Sequence, residues 1–469
     1  MKKFLVMFIA MVLVFQMSPG FASQEQIKGS LVIVGGALRA DNEAVYDAFI
    51  TRAGGVDHAK IGIVPAASGS PDKYAKMFTE DMVRRGVDPS RIVTLPLAVK
   101  DDSKSKDVDE SLWSINGQNP EVAKMVEDLT GIWFVGGDQL RITEVLLTET
   151  GENTLVLDAI WSIYKEGAVV GGSSAGAAIM SDVMIAGGDS LSALEFGYTE
   201  DFDNSTMDYQ NEGGLVISKG LGFFKHGIVD QHFDRKARLG RLAVLTHDEK
   251  ETFPVAFGVE ENTAMVYDNM TGMMTVAGTG GVVILDARGS VKNEGYDGFK
   301  LTYLEGLDAY DVEKSVAVMD PDKYTTLGYE YLYTEETVVG GPMSPNQRFR
   351  DFIAFELVDN EAKTEVTTYL LGEDLSGFAF TFYNGEDTEG YWGQSGAADL
   401  YSFENVYMSI KPFSMASAKE TTKTYSVVSG DVLWKIAQAH DVKLEVLIQA
   451  NGIANPNLIK VGQVLRIPN

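Results

Sequence analysis

The chain has 469 residues, with 45% apolar and 23% charged, an ordinary globular balance that excludes a wholly disordered protein. Its 67 acidic residues outnumber 39 basic ones for a net charge of −28, which repels phosphate backbones and argues against a nucleic-acid partner. Cysteine is absent, so disulfides, thiolate metal sites and a cysteine nucleophile are all excluded.

The first residues, Met1, Lys2 and Lys3, precede an apolar run over 4–15, then Pro19, Gly20 and small residues at Ala22 and Ser23. That order describes a secretory leader cleaved after Ala22, and the run is short for a membrane span. The expectation is an exported, soluble mature protein. The acid excess fits either a solubilising surface or an attraction for cations such as guanidinium groups.

From 31 to about 285, short apolar runs alternate with amphipathic stretches. The runs 31–34, 61–64, 91–95, 131–135 and 168–170 each end in glycine or proline and read as strands buried on both faces, hence parallel. Helical patterns cover 42–53, 71–85, 120–129, 138–148 and 154–166. Alternating strand and helix predicts an α/β fold, a mostly parallel sheet sandwiched by helices. Ligands in such folds sit at the carboxyl ends of the strands, where every glycine cluster falls. The texture then changes. Residues 313–413 are rich in Tyr, Phe, Thr and Val and read as a β-rich accessory region, its aromatics, Trp392 and Tyr401 included, filling a small core or lining a binding face. A small polar linker over 414–423 leads to a compact unit at 424–469.

Gly172-Ser173-Ser174-Ala175-Gly176 satisfies G-x-S-x-G between a buried strand and a small-residue helix, the setting of a nucleophile elbow. The hydroxyl of Ser174 is the candidate nucleophile, and the Ala175 N–H at the helix start is a candidate oxyanion donor. The same pattern also suits a tight turn that only packs helix on strand. Serine needs a base, and five histidines exist. His440 lies in the C-terminal unit and His58 in a polar loop, leaving His226, His232 and His247. His232 ends the apolar stretch 227–232 and precedes a basic cluster, Arg235, Lys236, Arg238 and Arg241, suited to clamping carboxylates. Glu260 and Glu261 follow another strand end, and one of them is the natural third member. No H-E-x-x-H occurs, and no metal or cofactor is expected.

Together, 135–139, 171–177, Asp230-Gln231-His232-Phe233 with 238–242, and 260–264 resemble the cyanophycinases, serine exopeptidases related to aspartyl dipeptidase. The resemblance runs from Gly29 to about Tyr310 and places a peptidase domain at 23–312. It implies a fold like class I glutamine amidotransferases and a triad of Ser174, His232 and Glu261, Glu261 being preferred because it precedes the Asn-Thr-Ala step. Adjacent residues of a pleated strand also face opposite ways, so only one glutamate can reach His232. The resemblance further implies Gly137 as second oxyanion donor beside Ala175. It assigns Gln139, Asp230, Gln231, Lys236, Arg238 and Arg241 to substrate binding, with Lys236 where the family pattern has arginine. The implied substrate is cyanophycin, poly-aspartate whose side chains carry arginine through isopeptide bonds, with β-Asp-Arg as product. Short Asp-containing peptides are the alternative. An acidic loop, Glu200 to Glu212, is a candidate lid over the guanidinium groups or a solvated surface. An α/β-hydrolase esterase fits less well, because there the acid precedes the histidine. A non-catalytic wall-binding protein is the reading outside enzymes.

Residues 424–437, 444–452 and 455–468 resemble a LysM module, which implies a βααβ unit binding peptidoglycan or chitin-like N-acetylglucosamine polymers. Oligomeric state is left open, a homodimer included.

Overall fold

The glycine- and proline-punctuated runs form a parallel set of strands, β1 (Ser30–Val34), β2 (Ile61–Val64), β3 (Ile92–Thr94), β4 (Gly131–Phe134) and β5 (Val169–Ser173). The computed structural model describes residues 26–467 except 106–107, 201, 203–205, 207–208, 307, 337–340, 416–422, 454 and 457. The expected leader, 1–22, lies outside the described residues, as do Asp201, Asp203 and Asp208 of the acidic loop; Glu200 and Glu212 are exposed. Across the sheet the order is β1-β5-β4-β2-β3, with every pairing parallel. Beyond β1 the sheet continues antiparallel through Thr263–Asp268, Met273–Gly278, Ala309–Asp311 and Val316–Val318.

Both faces are covered, as continuous apolar strands require. Val32 and Val34 of β1 point into one cluster with α1 (Glu43–Arg52) and α2 (Pro71–Arg84), where Phe78 stacks on Trp133 at 4.5 Å between ring centres. Leu31 and Ile33 point the other way, against α3 (Pro120–Val126), α4 (Gln139–Leu146) and α5 (Leu155–Glu166). The helices start on side-chain caps. Asn42, Asn119, Asp138 and Thr154 each accept a backbone N–H of the first turn, satisfying donors that the helix itself leaves unpaired.

A second sheet begins with the parallel pair Ile228–Asp230 and Val255–Val259 and continues antiparallel through Gly281–Asp286, Tyr296–Glu305, Ala398–Ser414 and Ser376–Ser395. Strands on either side of residue 312 therefore share one sheet. A π-type helix, Arg350–Val358, sends Phe352, Ile353 and Leu357 into the same apolar cluster as Leu242, Phe299 and Phe382. Periodicity did not point to this helix.

In the C-terminal unit, Lys423–Ser426 pairs antiparallel with Val464–Ile467 around the helices Leu433–Ala439 and Leu444–Ala450. Leu433, Ile436, Ala437 and Leu447 are buried with Val427, Leu465 and Ile467, whereas Trp434 is exposed. Among the described residues no helix is long and apolar enough to cross a membrane.

Candidate active site

The site is built where β1 and β5 end. After β5, Ser174 adopts φ 58° and ψ −111°, and the helix Ala175–Ala178 follows at once. This backbone is strained for any residue with a side chain, and it projects the hydroxyl above the sheet. The turn closes only without a side chain at 172, since a Cβ on Gly172 would lie 2.6 Å from the Gly176 carbonyl oxygen.

His232 stands just past Ile228–Asp230, with its Nε2 2.8 Å from Ser174 Oγ and its Nδ1 2.5 Å from Glu261 Oε1. Glu261 sits in the turn between Val255–Val259 and Thr263–Asp268, and its N–H donates to Asp234 Oδ1 at 2.9 Å. Glu260 faces away. Its Oε2 accepts from the Gly281 N–H at 2.8 Å and the Tyr303 hydroxyl at 3.1 Å, and burial, with Asp234 nearby, pushes its carboxyl up to about 8. Of the other histidines, His226 bonds Tyr267, His247 bonds Ser290 and His440 packs on Tyr425.

The three residues come from distant parts of the chain, yet their backbones meet on one short segment. The Ser174 N–H donates to the Val34 carbonyl at 3.0 Å, that of His232 to Gly35 at 2.6 Å, and that of Asn262 to Gly36 at 2.8 Å. Gly36 has φ +116°, and a Cβ there would lie 2.3 Å from His232 Cε1. The imidazole rests on that bare backbone.

Burial, helped by the charges of Arg238 and Lys236, holds the His232 imidazole below the usual histidine range despite its bond to Glu261, so it is neutral near pH 7. Burial opposes the Glu261 carboxylate too, but the His232 bond and the Arg235 and Lys236 charges outweigh it and hold that carboxyl low. A neutral imidazole touching a serine hydroxyl and oriented by a carboxylate can accept the hydroxyl proton. Arg235 is half exposed and leans on Glu261, with its Nε 3.4 Å from Oε2, rather than joining the other basic side chains.

Those side chains line a small cavity that also holds Ser174, His232 and Gly137. Arg241 is 1% exposed and clamps Asp230 through its Nε and Nη2 at 2.8 and 2.6 Å. Asp230 itself lies behind the cavity wall and acts on it through the arginines. Arg238 donates to the Gln231 carbonyl and to Asn211 Oδ1, both at 2.6 Å. Burial and the Arg241 charge push it down to about 9, still cationic at neutral pH. Gln139 donates to the Ile185 and Ala186 carbonyls at 3.2 and 2.7 Å, pinning the strand Val183–Gly187 beside the cavity. Gln231 is buried, and among the described residues its Oε1 has no partner, which leaves an acceptor for a ligand N–H. Ala175 is fully buried at the helix start. A wider cavity of about 550 Å³ shares Gly137 and Gln210 with this one and is walled by Tyr46, Tyr74, Phe78 and Trp133.

Sequence reasoning missed Gln210, Asn211 and Asp234. Gln210 donates to Asp138 Oδ1 at 3.2 Å, and Asn211 accepts from Lys236 at 3.2 Å and from Arg238. Both sit in the acidic loop, whose charges masked two uncharged amides. Asp234, two residues past His232, was legible as a carboxylate but not as the anchor of Glu261.

Comparison with known proteins finds a family for the peptidase region and another for the C-terminal unit. A family model described as Peptidase family S51 matches residues 31–274, and a LysM domain model matches 425–468. The cyanophycinase of Synechococcus elongatus is 29% identical over 264 residues, covering 56% of this chain and 69% of that protein. That of Geminocystis herdmanii (strain PCC 6308) is 31% identical over 273 residues, covering 56% and 83%. An N-acetylmuramoyl-L-alanine amidase, XlyB of Bacillus subtilis (strain 168), is 36% identical over 81 residues, 17% of this chain and 24% of that one. Among solved structures, a peptidase from an acI-B1 Actinobacterium aligns at TM-score 0.39 and 20% identity, over 56% of this chain and 93% of that one. The chain is a serine-type peptidase. It belongs to peptidase family S51 and carries a C-terminal LysM domain.

Lys236 supplies a pH test. Burial, and then the Arg238 and Arg241 charges, push its ammonium down to about 8. The cation is complete well below pH 8 and is lost as pH rises through it. KM for an acidic peptide should therefore climb above pH 8 while kcat holds, and Lys236→Arg should flatten that climb. Parallel profiles for parent and variant would remove Lys236 from substrate binding.

Proposed function

We propose that this peptidase is exported and hydrolyses cyanophycin to β-Asp-Arg dipeptides while tethered to cell wall through its LysM domain. The observation that carries this reading is the Ser174–His232–Glu261 chain opening into a cavity walled by Lys236, Arg238 and Arg241. A poly-aspartate backbone offers carboxylate-derived groups at regular spacing and a terminal carboxylate, and buried arginines recognise such groups strongly. Relatives named cyanophycinase support the polymer as substrate.

Ser174 attacks the backbone carbonyl as His232 takes its proton. The N–H groups of Gly137 and Ala175 hold the oxyanion. His232 then returns the proton to the leaving amine, and a water activated by the same imidazole resolves the acyl-enzyme. Glu261 keeps Nδ1 protonated and stabilises the imidazolium as it forms. Gln231 Oε1 accepts a substrate N–H, and Lys236, Arg238 and Arg241 fix the register of the acidic backbone. Gln139 and Asp230 hold the cavity wall that presents them. The basic cavity also suits an aspartyl dipeptidase acting on short peptides, which is the second reading.

Purified protein should release dipeptide from insoluble cyanophycin but leave α-Asp dipeptides and a simple ester intact, and Ser174→Ala should lower the rate at least ~10⁴-fold. Turnover of α-Asp dipeptides alone would move the assignment to the second reading. For the tether, peptidoglycan should pull down the full chain, and Trp434→Ala, which alters an exposed aromatic of the LysM domain, should weaken that retention several-fold without changing hydrolysis. Unchanged retention would separate Trp434 from glycan contact, and no retention of the parent would end the tether reading.

A further inference from the structure

Outside the segment matched by the peptidase family, the β-rich region holds a cavity of about 880 Å³ lined by four tyrosines, a tryptophan, a phenylalanine, two threonines and two aspartates. Trp392 and Tyr401, two aromatics expected either to fill a core or to line a binding face, are in its wall. Three of the four tyrosines do not behave as core residues. Tyr324, Tyr329 and Tyr331 are 70%, 82% and 72% exposed, which is costly for rings unless something covers them.

The charged groups of the lining are of one sign. Asp359 accepts from the Tyr331 N–H at 2.9 Å and the Tyr401 hydroxyl at 3.0 Å, and Asp399 Oδ1 accepts from the Trp392 indole at 3.3 Å. Both carboxylates are thus fixed beside aromatic rings. None of the described lining residues is Lys or Arg. Two cations beside it are already engaged: Lys323, next to Tyr324 in sequence, is buried on Asp308, and Arg350 is tied to Asp351, Glu305 and the Asp399 carbonyl.

We propose that this cavity binds guanidinium groups, with arginyl side chains of the polymer as natural occupants. A guanidinium is planar and weakly hydrated, so its faces stack on Tyr and Trp rings while its edge donates to carboxylates. The lining supplies ring faces and anionic acceptors without a competing cation. A glycan would also accept aromatic platforms and donate hydroxyls to the carboxylates, but only a cation gains the charge attraction of Asp359 and Asp399 as well. The preference for guanidinium stands on the cavity alone. That the guanidinium belongs to cyanophycin rests on the proposed function, and there the site would hold the chain of the polymer at a second point while Ser174 works on an end.

The test uses the full-length chain carrying Ser174→Ala, so that binding is read without turnover. Hexa-arginine, hexa-lysine and chitohexaose are titrated by calorimetry at physiological salt. Hexa-arginine should bind at least tenfold tighter than hexa-lysine. Tyr329→Ser with Asp399→Asn should weaken hexa-arginine at least tenfold, and Tyr329→Phe, which keeps the ring, should stay within about threefold of the parent. Equal hexa-arginine affinity in the double variant, or a fall confined to chitohexaose, would overturn the proposal, the latter making this a glycan site. Because no hydrolysis is measured, a failure to cleave cyanophycin leaves the result intact, and a hydrolase that cleaves it with an unresponsive cavity sinks only this inference.

Discussion

Three consecutive carbonyls, those of Val34, Gly35 and Gly36, hold the active site together. They receive the backbone N–H groups of Ser174, His232 and Asn262, the last immediately following Glu261. Residues 58 and 29 positions apart in sequence are thereby fixed to a common, fully buried strand end. Side-chain geometry follows from this. Once the backbones are set, the imidazole has one place to lie, over Gly36, and from there it spans the serine hydroxyl and the Glu261 carboxylate. Hydrogen bonds to the end of β1 and the two buried glycines that follow it hold all three segments to one short stretch, which matters because catalysis is sensitive to sub-ångström displacement.

The second constraint is electrostatic. A chain with net charge −28 gathers buried cations beside the Ser174–His232–Glu261 chain. Burying Arg238 and Arg241 is tolerable only because Asp230, equally buried, is clamped by Arg241 and lies 3.5 Å from Arg238. Burial sets the tone of the site, and the neighbouring positive charges add to it, keeping His232 neutral and Glu261 ionised. The basic cavity wall and the His232 imidazole are therefore coupled through the same field. Losing Asp230 would strip two arginines of their counter-charge and disturb the imidazole as well.

Much of this was legible. Parallel strands announced themselves as short apolar runs ended by glycine, and the elbow lay where a strand met a small-residue helix. His232 stood out by its place after an apolar strand and before basic residues. The choice of Glu261 over Glu260 came from the resemblance, alternation adding only that one of the two can reach His232; both lie just past the strand, and Glu260 points into the second sheet toward Tyr303. What sequence could not carry was long-range. Gln210 and Asn211 lie in an irregular loop without periodicity, and their importance comes from reaching Asp138 and Arg238 across the fold. Asp230 reads as a cavity residue but stands behind the wall. The sharing of one sheet across residue 312 depends on strand pairing between Tyr296–Glu305 and Ala398–Ser414, which no local pattern encodes. The exposure of Tyr329 and Tyr331 was equally invisible, since aromatic content alone does not tell a core from a cavity.

The mount at the end of β1 is most directly tested by Gly36→Ala, with kcat and the unfolding midpoint measured together. The added methyl meets the His232 ring, so kcat should fall at least ~100-fold, while the strained backbone shifts the midpoint by only a few degrees. A variant that keeps kcat within about twofold of the parent would show that His232 does not depend on that bare backbone, and the claim that β1 positions the site would fail.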